Sequence, residues 1–192
     1  MKKLFKKLGE LLYKWLSRKP EQSEVSPLNN NTKSIEKPKT KEDIFIEGLS
    51  VAVAKGYNAW CLYIQAYHET GAFKKIIGNY NYFGQKPPKS WTGKVLKVTT
   101  TEYIFGEKKE KVIDTFVDFE TIEEAIEFHC SQIFRLYKDS HINRAEPIKY
   151  FYGLTNGKFQ WGTDSQYSQK LETLYRNLYC NEEIKNKLST IV

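Results

Sequence analysis

The chain has 192 residues and a mass of 22.5 kDa, enough for one real core plus an appendage. Hydrophobic residues make up 40% and charged residues 28%, which excludes a disordered chain, and no run of 18 apolar residues exists to cross a membrane as a helix. The net charge of +7 is confined to one end: residues 1–41 hold 11 Lys and Arg against 4 Asp and Glu, whereas residues 42–192 hold 19 of each. A nucleic-acid enzyme carries its basic groove on the folded domain, so no nucleic-acid partner is expected.

Residues 2–18, KKLFKKLGELLYKWLSR, repeat apolar groups at three- and four-residue spacing, with Leu4, Leu8, Leu11, Leu12, Trp15 and Leu16 on one stripe and most lysines off it. The pattern predicts an amphipathic cationic helix over 1–18. Such a helix suits an anionic membrane surface, a partner protein, or its own domain, and periodicity does not separate these. Glu10 and Lys14 interrupt the apolar run and no small-residue cleavage site follows, so it does not read as a cleavable secretory signal. Residues 19–40 hold three of the six prolines and an Asn triplet, and read as a flexible linker. The domain proper is expected over 41–192.

Thr40 with Asp43 resembles a capping box and opens a helix over about 41–55. A second helix over about 58–69 ends at Thr70-Gly71, and a loop rich in Gly, Asn, Tyr and Pro fills 71–94. Residues 95–103 and 111–119 are β-branched and partly alternating, which predicts a β-hairpin turning near Phe105–Lys109. Helix resumes at Thr121 with a capping box to Glu124 and runs to about Lys138. Further helices are expected near 146–153, 164–180 and 181–189. Cys61, Cys130 and Cys180 lack metal-ligand or framework spacing and read as mostly buried free thiols. His129 and His141 lack ligand-like neighbours, so no metal and no cofactor are expected.

Glu69 is the most unusual charge in the chain. The helix AWCLYIQAYHE carries no Asp, Glu, Lys or Arg before it, so the carboxylate ends a buried element in poor solvent, near the negative end of the helix dipole. Both effects favour the protonated form, the state a general acid needs.

Gln65-Ala66-Tyr67-His68-Glu69-Thr70 is followed in order by Asn81-Tyr82-Phe83-Gly84-Gln85-Lys86, Trp91-Thr92-Gly93, Thr100-Thr101-Glu102-Tyr103, Phe116-Val117-Asp118-Phe119 and Trp161-Gly162-Thr163-Asp164-Ser165-Gln166-Tyr167. In this order and spacing, over about residues 42–180, the chain resembles the glucosaminidase family of peptidoglycan hydrolases, glycoside hydrolase family 73. The resemblance implies an α+β, mostly α fold: a lysozyme-like helical domain with a β-hairpin lobe. It implies Glu69 as the catalytic acid and Glu102 on the hairpin as a second carboxylate. Asn81, Tyr82, Phe83, Gly84, Trp91, Tyr103, Trp161 and Tyr167 become candidates to bind substrate. Trp161 and Gly162 depart from the family's Tyr-Ala, and Trp lacks the phenolic proton. Thr70 stands for a serine.

The implied activity is endo-β-N-acetylglucosaminidase action on peptidoglycan glycan strands, in a bacteriophage lysis or wall-penetration enzyme made in the host cytoplasm or carried by a virion. The alternatives are an N-acetylmuramidase, or a non-catalytic virion structural or glycan-binding protein on the same fold. Glycoside cleavage needs a proton for the leaving oxygen and stabilisation of an oxocarbenium-like sugar, supplied by a second carboxylate or by the substrate's own 2-acetamido group.

Overall fold

In the computed structural model of the chain, residues 38–104, 108–162 and 164–191 are described, with strand residues 101–104 and 108–110 described by backbone alone. The helix expected over 1–18 and the linker up to residue 37 lie outside them. Pro38–Val192 forms one compact unit.

The first helical stretch is two helices, not the single one expected: α1 (Lys41–Gly48) and α2 (Ser50–Ala54). The Thr40–Asp43 capping box is formed, each side chain taking the other's backbone N–H. The break falls at Leu49, whose N–H bonds Ile46 O three residues back, at 3.1 Å. Gly48 just before it touches Ile122, and an added Cβ would lie 2.5 Å from the Ile122 side chain, so the close approach of the two elements needs glycine there.

α3 (Ala59–Glu69) is the centre of the molecule. Asn58 caps it by accepting the Trp60 N–H, and all eight residues Ala59–Ala66 are buried. Around it pack Phe45, Leu49, Ile126, Ile133, Tyr150, Phe151, Leu154 and Leu171. The loop over 70–94 leads to the antiparallel hairpin of β1 (Val95–Ile104) and β2 (Lys108–Val117), registered from Val95 opposite Val117 to Ile104 opposite Lys108. The strands pair further into the turn than expected, and Asp118-Phe119 falls outside the ladder. Phe119 instead joins Val117 and Ala125 in a small second core.

The loop is tied to the base of the hairpin. Val117 N–H bonds Gln85 O at 3.0 Å. Gly78, at φ +59°, approaches both strands' ends so closely that a Cβ would lie 2.7 Å from Leu96 and 2.9 Å from Asp118.

Four helices follow: α4 (Ile122–Leu136) with its Thr121 cap, α5 (Lys138–Ile142), α6 (Pro147–Gly153) and α7 (Tyr167–Leu178), before a last helix, α8 (Glu182–Ser189). Tyr137, at φ −120° and ψ 68°, separates α4 from α5. α7 starts three residues later than expected because Asp164 caps the turn before it, accepting the Gln166 N–H on its side chain and the Tyr167 N–H on its backbone oxygen. Helices α6 and α7 pack on α3. Cys61 and Cys130 are buried thiols, but Cys180 is exposed, on the last turn before α8, correcting the expectation for that residue.

Candidate active site

Glu69 stands at the last position of α3, where the buried helix reaches the surface. The chain then turns sharply through three consecutive left-handed residues, Gly71, Ala72 and Phe73, at φ 59°, 62° and 58°. For Ala72 and Phe73 this conformation costs roughly 1–2 kcal/mol each. Two interactions hold it. Phe73 buries its ring against Phe45, Tyr63, Tyr67 and Tyr82, with centroids 5.4–6.1 Å away. The buried Thr70 hydroxyl donates to Ala66 O at 2.7 Å and accepts the Phe73 N–H at 2.8 Å. The helix therefore stops at one defined residue and its final side chain has a fixed root.

The carboxylate is exposed, not enclosed as the uncharged run of α3 led one to expect. The turn after Gly71 carries the chain away from it, leaving one side open. Its other side is held: Trp161 Nε1–H donates to Oε1 at 2.9 Å and the Tyr167 hydroxyl donates to the same oxygen at 2.6 Å. Among the described residues no donor reaches Oε2. Burial, the Glu69 charge and this hydrogen bond keep the Tyr167 phenol well above the usual tyrosine range, so it remains a donor.

These two aromatics come from opposite ends of a loop. Trp161 is fixed by its backbone N–H to Leu154 O (2.9 Å) and by its ring against Tyr137 and His129, at 5.4 and 5.2 Å. Tyr167 is the first residue of α7 and touches the His68 ring edge-on at 5.3 Å. At position 161 the indole thus supplies an N–H to the Glu69 carboxylate.

Beneath them lies a buried polar chain that sequence reading missed. His129, fully buried on α4, stacks on Phe83 at 3.6 Å with an interplanar angle of 7°. Its Nδ1 faces Gln85 Nε2 at 3.2 Å and its Nε2 faces Gln65 Oε1 at 3.1 Å. Burial pushes its pKa down to about 3, so the ring is neutral. An amide nitrogen can only donate, so Nδ1 accepts and the single ring proton is on Nε2, given to Gln65 Oε1. The Tyr150 hydroxyl donates to that same oxygen at 2.8 Å. The available signal was Gln65 itself, an amide four residues before Glu69 on a helix otherwise apolar at that depth.

Several sequence-derived candidates have other work. Asn81 is buried, donating to Gln85 O and Val117 O at 2.9 and 3.0 Å and accepting the Gln85 N–H; it splices the loop to the hairpin. Tyr82 is 1% exposed, its hydroxyl on Lys41 O, and Phe83 is 2% exposed beneath His129, so neither ring offers a face to a ligand. Tyr167, 4% exposed, acts on Glu69 and not as an open platform. Gly84, at φ +63°, has open space where a side chain would stand. Trp91 is half-buried, donates from Nε1 to Lys94 O and packs on Phe119 and Phe128. Trp161, half-buried, is brought to Glu69. The side chains of Glu102 and Tyr103 lie outside the described residues; the backbone register sets Glu102 opposite Glu110.

A mostly helical domain with a two-stranded lobe, carrying a supported carboxylate where its central helix surfaces, defines a lysozyme-like glycoside hydrolase fold. The profile of the glucosaminidase family, described as mannosyl-glycoprotein endo-beta-N-acetylglucosaminidase, matches residues 49–180, well over half of the sequence. The chain belongs to that family. Peptidoglycan hydrolase FlgJ of Salmonella typhimurium is 31% identical over 110 residues, 57% of this chain and 34% of that protein. The chain therefore spans about a third of the length of this curated relative. The solved C-terminally truncated glycoside hydrolase domain of the same protein superposes with a TM-score of 0.57 at 26% identity, covering 73% of this chain and 98% of that one. A peptidoglycan hydrolase mutant from Sphingomonas sp. A1 shares the fold, with a TM-score of 0.60 at 24% identity over 77% and 98% of the two chains.

Proposed function

We propose that this protein hydrolyses peptidoglycan glycan strands as an endo-β-N-acetylglucosaminidase, with Glu69 as general acid. The observation that carries the reading is the asymmetric support of one carboxylate: Trp161 and Tyr167 both bind Oε1, which leaves Oε2 to carry a proton outward on the open side. Oε2–H would protonate the bridging glycosidic oxygen as the bond to the sugar's anomeric carbon breaks. The resulting oxocarbenium-like sugar is stabilised either by a carboxylate across the cleft, for which Glu102 is the candidate, or by the substrate's 2-acetamido oxygen. Water then adds to the anomeric carbon; its proton goes to the Glu102 carboxylate where that group assists, or back to the Glu69 carboxylate, left deprotonated by the first step, where the acetamido group does.

Family membership and the FlgJ likeness support the wall as substrate. Mass spectrometry of fragments released from purified sacculi tests the bond cleaved. Glucosaminidase action leaves N-acetylglucosamine at the new reducing ends; N-acetylmuramic acid there would contradict the reading and favour a muramidase.

A further inference from the structure

We propose that the trench between His68 and the outer face of α7 receives the peptide stem of the N-acetylmuramic acid unit that leaves when the glycan is cut, and so sets which of the alternating linkages reaches Glu69. The inference rests on the role proposed for Glu69.

A cavity of about 580 Å³ lies against α7, lined by His68, Gln166, Gln169, Lys170, Thr173 and Leu174. All but His68 recur at intervals of three and four residues, so they form one face of α7 and its cap. The buried Ser168 and Leu171 take the opposite face. From Gln166 to Leu174 the trench runs about 12 Å, at about 1.5 Å of helix per residue. An extended peptide advances about 3.4 Å per residue, so the trench holds about three to four of them.

The lining suits a peptide better than a sugar. Sugar rings are held on aromatic faces, and among the described residues no Phe, Tyr or Trp lines the trench. It offers amides and a cation instead. No hydrogen bond engages the side-chain amide of Gln166 or of Gln169 among the described residues, so each can pair with a peptide bond. Lys170 is bonded to Asp164 yet its side chain stays 49% exposed, which leaves ammonium hydrogens for a stem carboxylate. Leu174 gives an apolar wall for short side chains.

The position of the trench selects the sugar. His68 directly precedes Glu69, and the ring of Tyr167, whose hydroxyl holds Glu69 Oε1, packs edge-on against it at 5.3 Å. In peptidoglycan the stem hangs by a lactyl ether from O3 of N-acetylmuramic acid, on the carbon next to the one that bears O4. When the bond after N-acetylglucosamine is cut, that O4 is the leaving oxygen and takes the proton from Glu69. The stem thus leaves the sugar one carbon from the atom the acid must reach, and a trench that starts one residue from the acid meets it. In the other linkage the leaving sugar is N-acetylglucosamine, with a bare hydroxyl at O3 and nothing to fill the trench. A seated stem therefore favours the glucosaminidase register.

Uncrosslinked glycan strands test this, compared with the same strands stripped of their stems by an N-acetylmuramoyl-L-alanine amidase. The full chain should show a kcat/KM about ten-fold higher on the stem-bearing strands. Gln169→Trp, which fills the trench, should bring that ratio to within about two-fold of unity. A change that only disturbed the fold would lower both rates and keep the ratio. Thr173→Trp makes the same prediction should Gln169→Trp not fold. A wild-type ratio near unity, or an undiminished ratio in the filled variant, overturns the proposal.

Binding separates the inference from the activity. With an N-acetylmuramoyl tripeptide as probe, the side-chain amide resonances of Gln166 and Gln169 should shift; with N-acetylmuramic acid alone they should not. Unshifted amides, or equal shifts with the bare sugar, refute the stem site even where sacculi are cut. Shifts with the tripeptide but no release of reducing ends refute the activity proposed for Glu69 and leave the stem site standing.

Discussion

Trp161 can donate a hydrogen bond but never accept one, and Tyr167 is held where its hydroxyl stays protonated. Neither accepts a hydrogen bond from Glu69, so the two side chains hold Oε1 as donors only. A tyrosine in place of Trp161 could have served as donor or acceptor; the indole narrows that to one role. His129 makes a different single-residue statement. Its pKa is about 3 in the folded protein, through burial, against about 6.5 in an unfolded chain. Below the unfolded value the unfolded chain binds a proton that the native one refuses. The stabilisation from the neutral ring is therefore complete above about pH 6.5 and is lost progressively as the pH falls towards 3. Between pH 7 and pH 5 this group alone should remove about 2 kcal/mol. Urea unfolding at the two pH values checks it: His129→Phe should be less stable throughout but should lose about 2 kcal/mol less on acidification. An equal loss in both proteins would contradict the assignment.

At the scale of the element, the turn after α3 decides where the acid sits. Three left-handed residues in succession end the helix at Glu69, and two of them are not glycine. The strain lies next to the proposed acid and is opposed by the Thr70 hydroxyl and the buried Phe73 ring. Ala72→Gly should release strain and stabilise the protein by about 0.5–1 kcal/mol, after the entropy that glycine costs, read from the urea midpoint; a lower midpoint would argue against a strained turn. The sequence told of this element unevenly. An uncharged run from Ala59 to Tyr67 marks a buried helix, and Thr70-Gly71 marks its end. Nothing local marks Ala72 or Phe73, because their conformation is imposed by a ring that packs on residues from distant segments. Beside the break in the single helix expected over 41–55, Gly48 closely approaches Ile122, again a contact between distant segments.

Over the whole molecule, what was legible depended on whether a feature is carried by pattern or by packing. The neutral charge balance of 42–192, the order helix–hairpin–helices and the family motifs are properties of the string, and they led to the fold. Exposure is a property of the assembled core. Asn81, Tyr82 and Phe83 look like cleft residues in a Gly- and Tyr-rich loop, yet they are drawn inward to join the hairpin, α1 and His129. Glu69 looks enclosed, yet it faces outward, supported from behind. The burial anticipated for the acid is found one turn earlier, at Gln65. The surface left around Glu69 is thus an open carboxylate on a hydrogen-bonded base. The most direct measurement is the release of reducing ends from purified sacculi by the wild-type protein and by Glu69→Gln, with unfolding followed in parallel. The account predicts a loss of about 10²–10⁴-fold in rate with the cooperative unfolding transition preserved; near-normal release by a folded Glu69→Gln protein would contradict it.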